Sequence, residues 1–244
     1  MEREYQHNLE VNRCQTDENG ILKLSELFLF YQDIAGEHAA KLGRGYDVLL
    51  KKNLFFAITH SRSDILRLPA AGEKLVLKTC LGKVPHLFFP RYYMLCTEGG
   101  ELLAKAATRW VLMDIEKRVA AAPGDEMTYF EGEKNPWQLT EAGPVRPAET
   151  QKKVSFTVTK DYLDVNNHMN NTRYFDMAQS FVMDELRGLT PVSAAVEYRN
   201  ELLEGQTMEV SIGCAENVET GEKTFYFEGN MPEKSIFRMK LVYQ

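Results

Sequence analysis

Apolar residues recur along this chain at two spacings. Leu24, Leu27, Phe28, Tyr31 and Ala35 stand at i, i+3, i+4, i+7 and i+11, the stripe of a helix that lies on a core. Tyr174, Met177, Ala178, Phe181 and Val182 predict a second helix of the same kind. Elsewhere the period is two: Met208, Val210, Ile212 and Cys214 alternate with Thr207, Glu209, Ser211 and Gly213, as in a sheet with one buried face. Leu75 and Leu77, set between Lys74, Val76 and Lys78, repeat that pattern more weakly. Glu98-Gly99-Gly100-Glu101 and Glu219-Thr220-Gly221-Glu222 suit hairpin turns, so the predicted sheets are mostly antiparallel.

These elements come in the same order twice: a short strand, one helix, then strands separated by Gly-containing turns. Short letter matches accompany the repeat, Asp17-Glu18-Asn19 with Asp164-Val165-Asn166 and Asp33-Ile34-Ala35 with Asp176-Met177-Ala178. Between the copies, Pro123, Pro136, Pro144 and Pro147 fall with Gly124, Gly132 and Gly143 in a stretch without a sustained apolar period, which reads as a linker. The expected division is 1–128, a linker at 129–151, and 152–244. One helix per half faced by antiparallel strands is an α+β layer arrangement.

Composition changes this picture little. With 44% hydrophobic and 26% charged residues the chain is an ordinary globular one, and its net charge of -6 argues against whole-surface attraction to nucleic acid or to an anionic membrane. The start MEREYQHNLE carries neither a secretory nor a transit signature and no run is long and apolar enough to span a bilayer, so a cytoplasmic protein is expected. Cys14, Cys80, Cys96 and Cys214 show no C-x-x-C pair or zinc-ligand spacing and are expected to be buried free thiols. No metal or cofactor is predicted.

The densest polar stretch is Asp164-Val165-Asn166-Asn167-His168-Met169-Asn170-Asn171, between the strand at 154–158 and the second helix. Asn and Asp suit helix starts and turns, which accounts for Asn170 or Asn171. Helix capping does not account for His168, whose unperturbed pKa lies nearest neutrality, four positions from the Asp164 carboxylate. Together with Asn166 and the positive end of a helix dipole, these groups could polarise a carbonyl and move a proton. A second carboxylate run, Glu197-Tyr198-Arg199-Asn200-Glu201, reads as a strand with Glu197, Arg199 and Glu201 on one face. Nucleophile-elbow, phosphate-loop, dinucleotide and zincin motifs are missing.

Taken together, the Asp164–Asn171 loop followed by Tyr174, the Glu197–Glu201 run, Asp17-Glu18-Asn19-Gly20, Gln32-Asp33-Ile34-Ala35-Gly36-Glu37-His38-Ala39 and Thr108-Arg109-Trp110-Val111-Leu112-Met113-Asp114 resemble the fatty acyl-ACP thioesterases. The likeness runs from about residue 4 to the C-terminus. It implies a double hotdog, two tandem domains each with one long helix packed on a curved antiparallel sheet, the first holding the acyl chain and the second carrying the chemistry. The activity implied is hydrolysis of fatty acyl-ACP to free fatty acid, ending chain elongation. An acyl-CoA thioesterase and a non-catalytic acyl-binding protein are the alternatives. Carried over by position, the catalytic residues are Asp164, Asn166, His168 and Glu201. Glu201 with His168 would activate water or attack directly, Asn166 would fix the thioester or the water, and Asp164 would orient the loop. Plant members of the family have a Cys directly after the position of Glu201; here it is Leu202, which rules out a thiol mechanism at that position.

Leu24, Leu27, Phe28 and Tyr31 are expected to contact the acyl chain. The partner implied is acyl carrier protein, itself acidic, so docking calls for a local basic patch on this acidic chain; Lys152, Lys153, Lys160 and Arg173 are the candidates. A free hotdog sheet edge could also pair two copies into a homodimer.

Overall fold

A computed structural model describes residues 3–122, 124 and 132–244, so the boundary expected between 128 and 129 lies outside the described residues. The first half runs β1 (Glu4–Glu10), α1 (Leu24–Lys41), α2 (Tyr46–Leu50), β2 (Leu54–Ile65), β3 (Lys74–Leu81), β4 (Phe88–Thr97), β5 (Leu102–Asp114) and the short β6 (Val119–Ala120). The second runs β7 (Lys152–Thr157), α3 (Arg173–Ser180), β8 (Pro191–Tyr198), β9 (Thr207–Glu216), β10 (Lys223–Met231) and β11 (Lys234–Tyr243).

The strands form one sheet in the order β1-β3-β4-β5-β2-β8-β11-β10-β9-β7, with β6 on β5, and every pairing is antiparallel. Read outward from the centre, β2-β5-β4-β3-β1 mirrors β8-β11-β10-β9-β7. At the centre, His60 pairs with Glu197 and Asp64 with Ser193, which makes the contact symmetric about Arg62 and Ala195. Even an irregularity is duplicated: β2 slips against β5 so that Ile58 meets Trp110, and β8 slips against β11 so that Pro191 meets Tyr243. The predicted turns are present, one joining β4 to β5 through Gly100 at φ +91° and one joining β9 to β10 through Gly221 at φ +73°.

Helix α1 spans 18 residues and ends where Gly43 turns left-handed (φ +69°), its N–H bonding to Ala40 O and that of Arg44 to Ala39 O. Helix α3 is shorter than expected, at 8 residues; Phe181 and Val182 of its predicted stripe lie in the turn beyond it, followed by a 3-10 turn at Asp184–Leu186. The two helices meet at Phe28 and Phe175, whose rings stack at 4.1 Å. Leu24, Leu27, Phe28, Tyr31 and Ile34 of α1 join Tyr174, Phe175, Met177 and Ala178 of α3 in one apolar cluster that draws strands from both halves.

The segment at 132–151 is an ordered strap. Trp137, Leu139 and Ala142 pack on Cys80, Tyr92 and Ala107, and bonds then tie Glu141 to the Tyr92 hydroxyl, Thr140 to Asp64, and the Val145 N–H to Glu197. Gly213 lets it pass closely, since a Cβ there would collide with the Glu149 carbonyl. Among the cysteines Cys80 is buried as expected, whereas Cys14 and Cys214 are exposed. Among the described residues no helix is long and apolar enough to cross a membrane.

Candidate active site

The polar loop is held by its own backbone. Asp164 N–H donates to His168 O (3.0 Å), Asn167 N–H to Asp164 O (3.0 Å), and Asn166 N–H to the Asp164 carboxylate (2.8 Å). Asn167 sits at φ +61°, a left-handed conformation that Asn tolerates. Met169 N–H then bonds Leu202 O (2.8 Å), and His168 bridges Leu203 in antiparallel register. This pairing brings the Glu201 segment to His168, with Glu201 two residues from the direct partner Leu203. Strand β8 stops at Tyr198, short of Glu201, and Glu197 and Arg199 pair with each other at 2.9 Å.

His168 and Asp164 are both largely covered, their side chains 17% and 18% exposed, with Nδ1 3.5 Å from Oδ2. That separation suits charge attraction better than a hydrogen bond. Asn166 Oδ1 accepts a bond from the Tyr46 hydroxyl at 2.9 Å, so α2 of the first half steadies the loop of the second. Its Nδ2 lies 3.5 Å from Asp164, too far for a strong bond. Glu201 pairs with Arg118 of the first half, and the Lys234 ammonium donates to the Glu201 backbone carbonyl (3.1 Å). Among the described residues, no three His, Cys, Asp or Glu side chains gather as a metal would need.

Two cavities meet at this loop. One, of about 560 Å³, is lined by Asp164, Asn166, His168 and Glu201, with Arg118, Tyr198 and Lys234. The other, of about 540 Å³, is mainly apolar and lined chiefly by the first half, including Leu29, Gly36, Leu49, Leu81 and Phe89. The two share Gln32, Phe56, Trp110, Asp164 and Asn166.

Leu24, Leu27, Phe28 and Tyr31 do not line either cavity. All four are buried at 2% exposure or less in the core shared with α3, and the Tyr31 hydroxyl bonds Ser63. The apolar stripe of α1 faces inward to the core, and its end at Ala35 borders the apolar cavity together with the small residues Gly36 and Ala39. The four basic candidates are also dispersed. Lys152 and Lys153 lie on the outer strand β7, where Lys153 pairs with Glu209 and Lys152 donates to Phe181 O; Arg173 pairs with Asp176, and Lys160 starts a 3-10 turn.

Gln32, Tyr46, Arg118 and Trp110 were not singled out as site residues by the sequence. Tyr46 lies 120 positions from Asn166 and Arg118 lies 83 from Glu201, so only the fold joins them. Beyond the cavities, burial pushes the His60 imidazole below its ordinary pKa, with Arg109 and Arg199 acting in the same direction against Glu197.

Residues 2–129 match the acyl-ACP thioesterase N-terminal domain and residues 145–236 the acyl-ACP thioesterase C-terminal domain. The chain therefore belongs to the acyl-ACP thioesterase family. A palmitoyl-acyl carrier protein thioesterase of Gossypium hirsutum chloroplasts is 24% identical over 218 residues, 81% of this chain and 52% of that protein. This chain thus spans about half the length of the curated relatives it matches. Among solved structures, a candidate oleoyl thioesterase from Lactobacillus plantarum superposes with a TM-score of 0.87 at 18% identity, covering 99% of this chain and 96% of that one. An acyl-ACP thioesterase from Bacteroides thetaiotaomicron does so with a TM-score of 0.83 at 20% identity, covering 99% and 98%. At these identities the two structures speak for the fold.

Proposed function

We propose that this chain is a cytoplasmic thioesterase that hydrolyses fatty acyl-ACP to free fatty acid and ACP, ending chain elongation. The observation that carries the reading is the junction of an apolar cavity with a cavity bearing Asp164, Asn166, His168 and Glu201. The fold is read as a double hotdog: 1–128 binds the acyl chain, 129–151 links, and 152–244 is catalytic. The mirrored strand order supports that division.

In this reading the acyl chain fills the apolar cavity, the thioester lies at the junction, and the pantetheine arm leaves along the other cavity. Glu201, with His168, takes a proton from water as the water oxygen attacks the carbonyl carbon. The carbonyl oxygen carries the charge until the C–S bond breaks, and the departing sulfur recovers the proton. Asn166 fixes the thioester, and Asp164 holds the loop through the bonds described above. Docking of the acidic carrier is assigned to Lys152, Lys153, Lys160 and Arg173; Lys153 pairs with Glu209 and Arg173 with Asp176, while Lys152 and Lys160 form no ion pair with a carboxylate among the described residues.

The test is thiol release from a panel of acyl-ACPs and matching acyl-CoAs by the wild type, His168→Ala and Glu201→Ala. Each variant is expected to stay folded and to lose about 10²–10⁴ in rate on acyl-ACP. Faster cleavage of acyl-CoA would reassign the substrate; no cleavage of either would reduce the chain to an acyl-binding relative.

A further inference from the structure

The duplicated fold offers an internal control for each of its residues. In the register that sets Asp17 against Asp164 and Ile21 against His168, Gln32 of α1 stands against Gln179 of α3. Gln179 is satisfied: its Nε2 donates to the Tyr243 hydroxyl at 3.0 Å. The strand position equivalent to Tyr243 in the first half is Trp110, since each follows the same slip in the ladder. An indole has a single N–H and no acceptor, and that N–H is spent on Thr108 Oγ1 at 2.7 Å. Where the twin has a hydroxyl to bond, the equivalent ladder position thus offers Gln32 an indole on the same cavity lining, and the Gln32 amide makes no hydrogen bond to another described residue.

That amide is half-buried and lies on the wall shared by both cavities. The polar side chains on this shared wall are Gln32, Asp164 and Asn166. Asp164 is spent on the loop, and Asn166 has its oxygen committed to Tyr46. A thioester with its chain in one cavity and its arm in the other must place its carbonyl against this wall. A carboxylate repels the oxygen on which charge develops, whereas a carboxamide N–H stabilises it without titrating.

We propose that Gln32 is a further catalytic residue, contributed by the first half, whose side-chain N–H donates to the thioester carbonyl oxygen opposite Asn166. The inference rests on the thioesterase reading above. It makes the reaction centre composite, with the base in one half and one oxyanion donor in the other.

The experiment compares wild type, Gln32→Met, Gln32→Ala and Gln179→Met in steady-state hydrolysis of the best acyl-ACP, with thermal melting of each. Loss of an oxyanion donor costs about 10²-fold in kcat. That loss is expected for both Gln32 variants, with KM changed less than about twofold and the melting temperature and pH profile unchanged. Gln179→Met is expected to do the reverse, lowering the melting temperature by loss of the Tyr243 bond while kcat holds. Gln32→Met retaining kcat within about threefold, or falling only in step with its melting temperature, overturns the proposal alone. A folded wild type that cleaves no thioester overturns the activity itself and this role with it.

Discussion

The loop at Asp17–Leu22 and the loop at Asp164–Met169 are the same structure with different chemistry. In both, the leading Asp donates its N–H to the carbonyl four residues on (2.8 Å at Ile21, 3.0 Å at His168) and accepts at its carboxylate from the residue two on, Asn19 or Asn166. Both pass through a left-handed residue, Gly20 at φ +75° and Asn167 at φ +61°. Both then bridge the segment after the central strand, Ile21 to Ala70 and His168 to Leu203. What differs is what the scaffold presents: Ile21 where the second half has His168, and Leu68 where it has Glu201. The comparison separates two roles within one motif. Asp and Asn build the turn and occur in both copies, while the pair proposed to move the proton occurs in one.

The most severe way to test that separation is to write the first loop into the second. The double substitution His168→Ile with Glu201→Leu places in the second loop the residues its twin already folds with. Hydrolysis of acyl-ACP is expected to fall by at least about 10²–10⁴, because both groups proposed as general acid and base are gone. Circular dichroism and the melting temperature should stay close to wild type. A variant that unfolds would mean that the two loops are not interchangeable scaffolds, and one that stays active would remove the proton-moving role from this pair.

The helices differ in the complementary sense. Helix α1 runs on for 18 residues and carries Ala35, Gly36 and Ala39 along a cavity, whereas α3 ends after 8. Space here is made by small side chains, and a Cβ built at Gly36 meets nothing within 4 Å. Gly36→Phe should therefore fill the apolar cavity, where the acyl chain is proposed to lie, without displacing backbone. If three to four methylenes lose their place, at about 0.8 kcal/mol each, hydrolysis of the longest good substrate falls by about 10²-fold while shorter chains keep their rate. An acyl-length series on both proteins reads this directly. Equal loss at every length would mean that the cavity is not where the chain lies.

These differences were unevenly legible in the sequence. The α1 stripe, the hairpin turns and the repeated order of elements follow from local spacing, and local spacing is what a sequence displays. Periodicity marks a buried face without saying what buries it: Leu24, Leu27, Phe28 and Tyr31 lie in the core with α3 and line neither of the two cavities at the polar loop. Asp17 matched with Asp164 is the true structural register. The match of Asp33 with Asp176 is out of that register, since Asp33 falls opposite Ser180. His168, Asn166, Asp164 and Glu201 stand out as motifs, and all four line one cavity. Tyr46, Arg118 and the isolation of Gln32 depend on contacts between halves and on what stands opposite in a ladder, which no local pattern encodes.

The mildest difference lies at the seam between the halves, where His60 of β2 occupies the place that Ser193 takes in β8. His60 is 9% exposed and its Nδ1 lies 2.9 Å from Thr59 Oγ1. Burial holds its pKa below the ordinary 6.5, helped by Arg109 and Arg199 and opposed by Glu197. With the folded pKa below the unfolded one, the unfolded chain binds the extra proton first as pH falls, so stability rises with pH through this interval. Wild type should thus hold its full His60 contribution above about pH 7 and lose it progressively below the unfolded value of about 6.5. His60→Ser, which copies the twin, should flatten that part of the curve. Urea midpoints at pH 5.5 and 7.5 for both proteins decide it: the wild-type midpoint must drop more than the variant's, and parallel drops would assign the acid sensitivity to other groups.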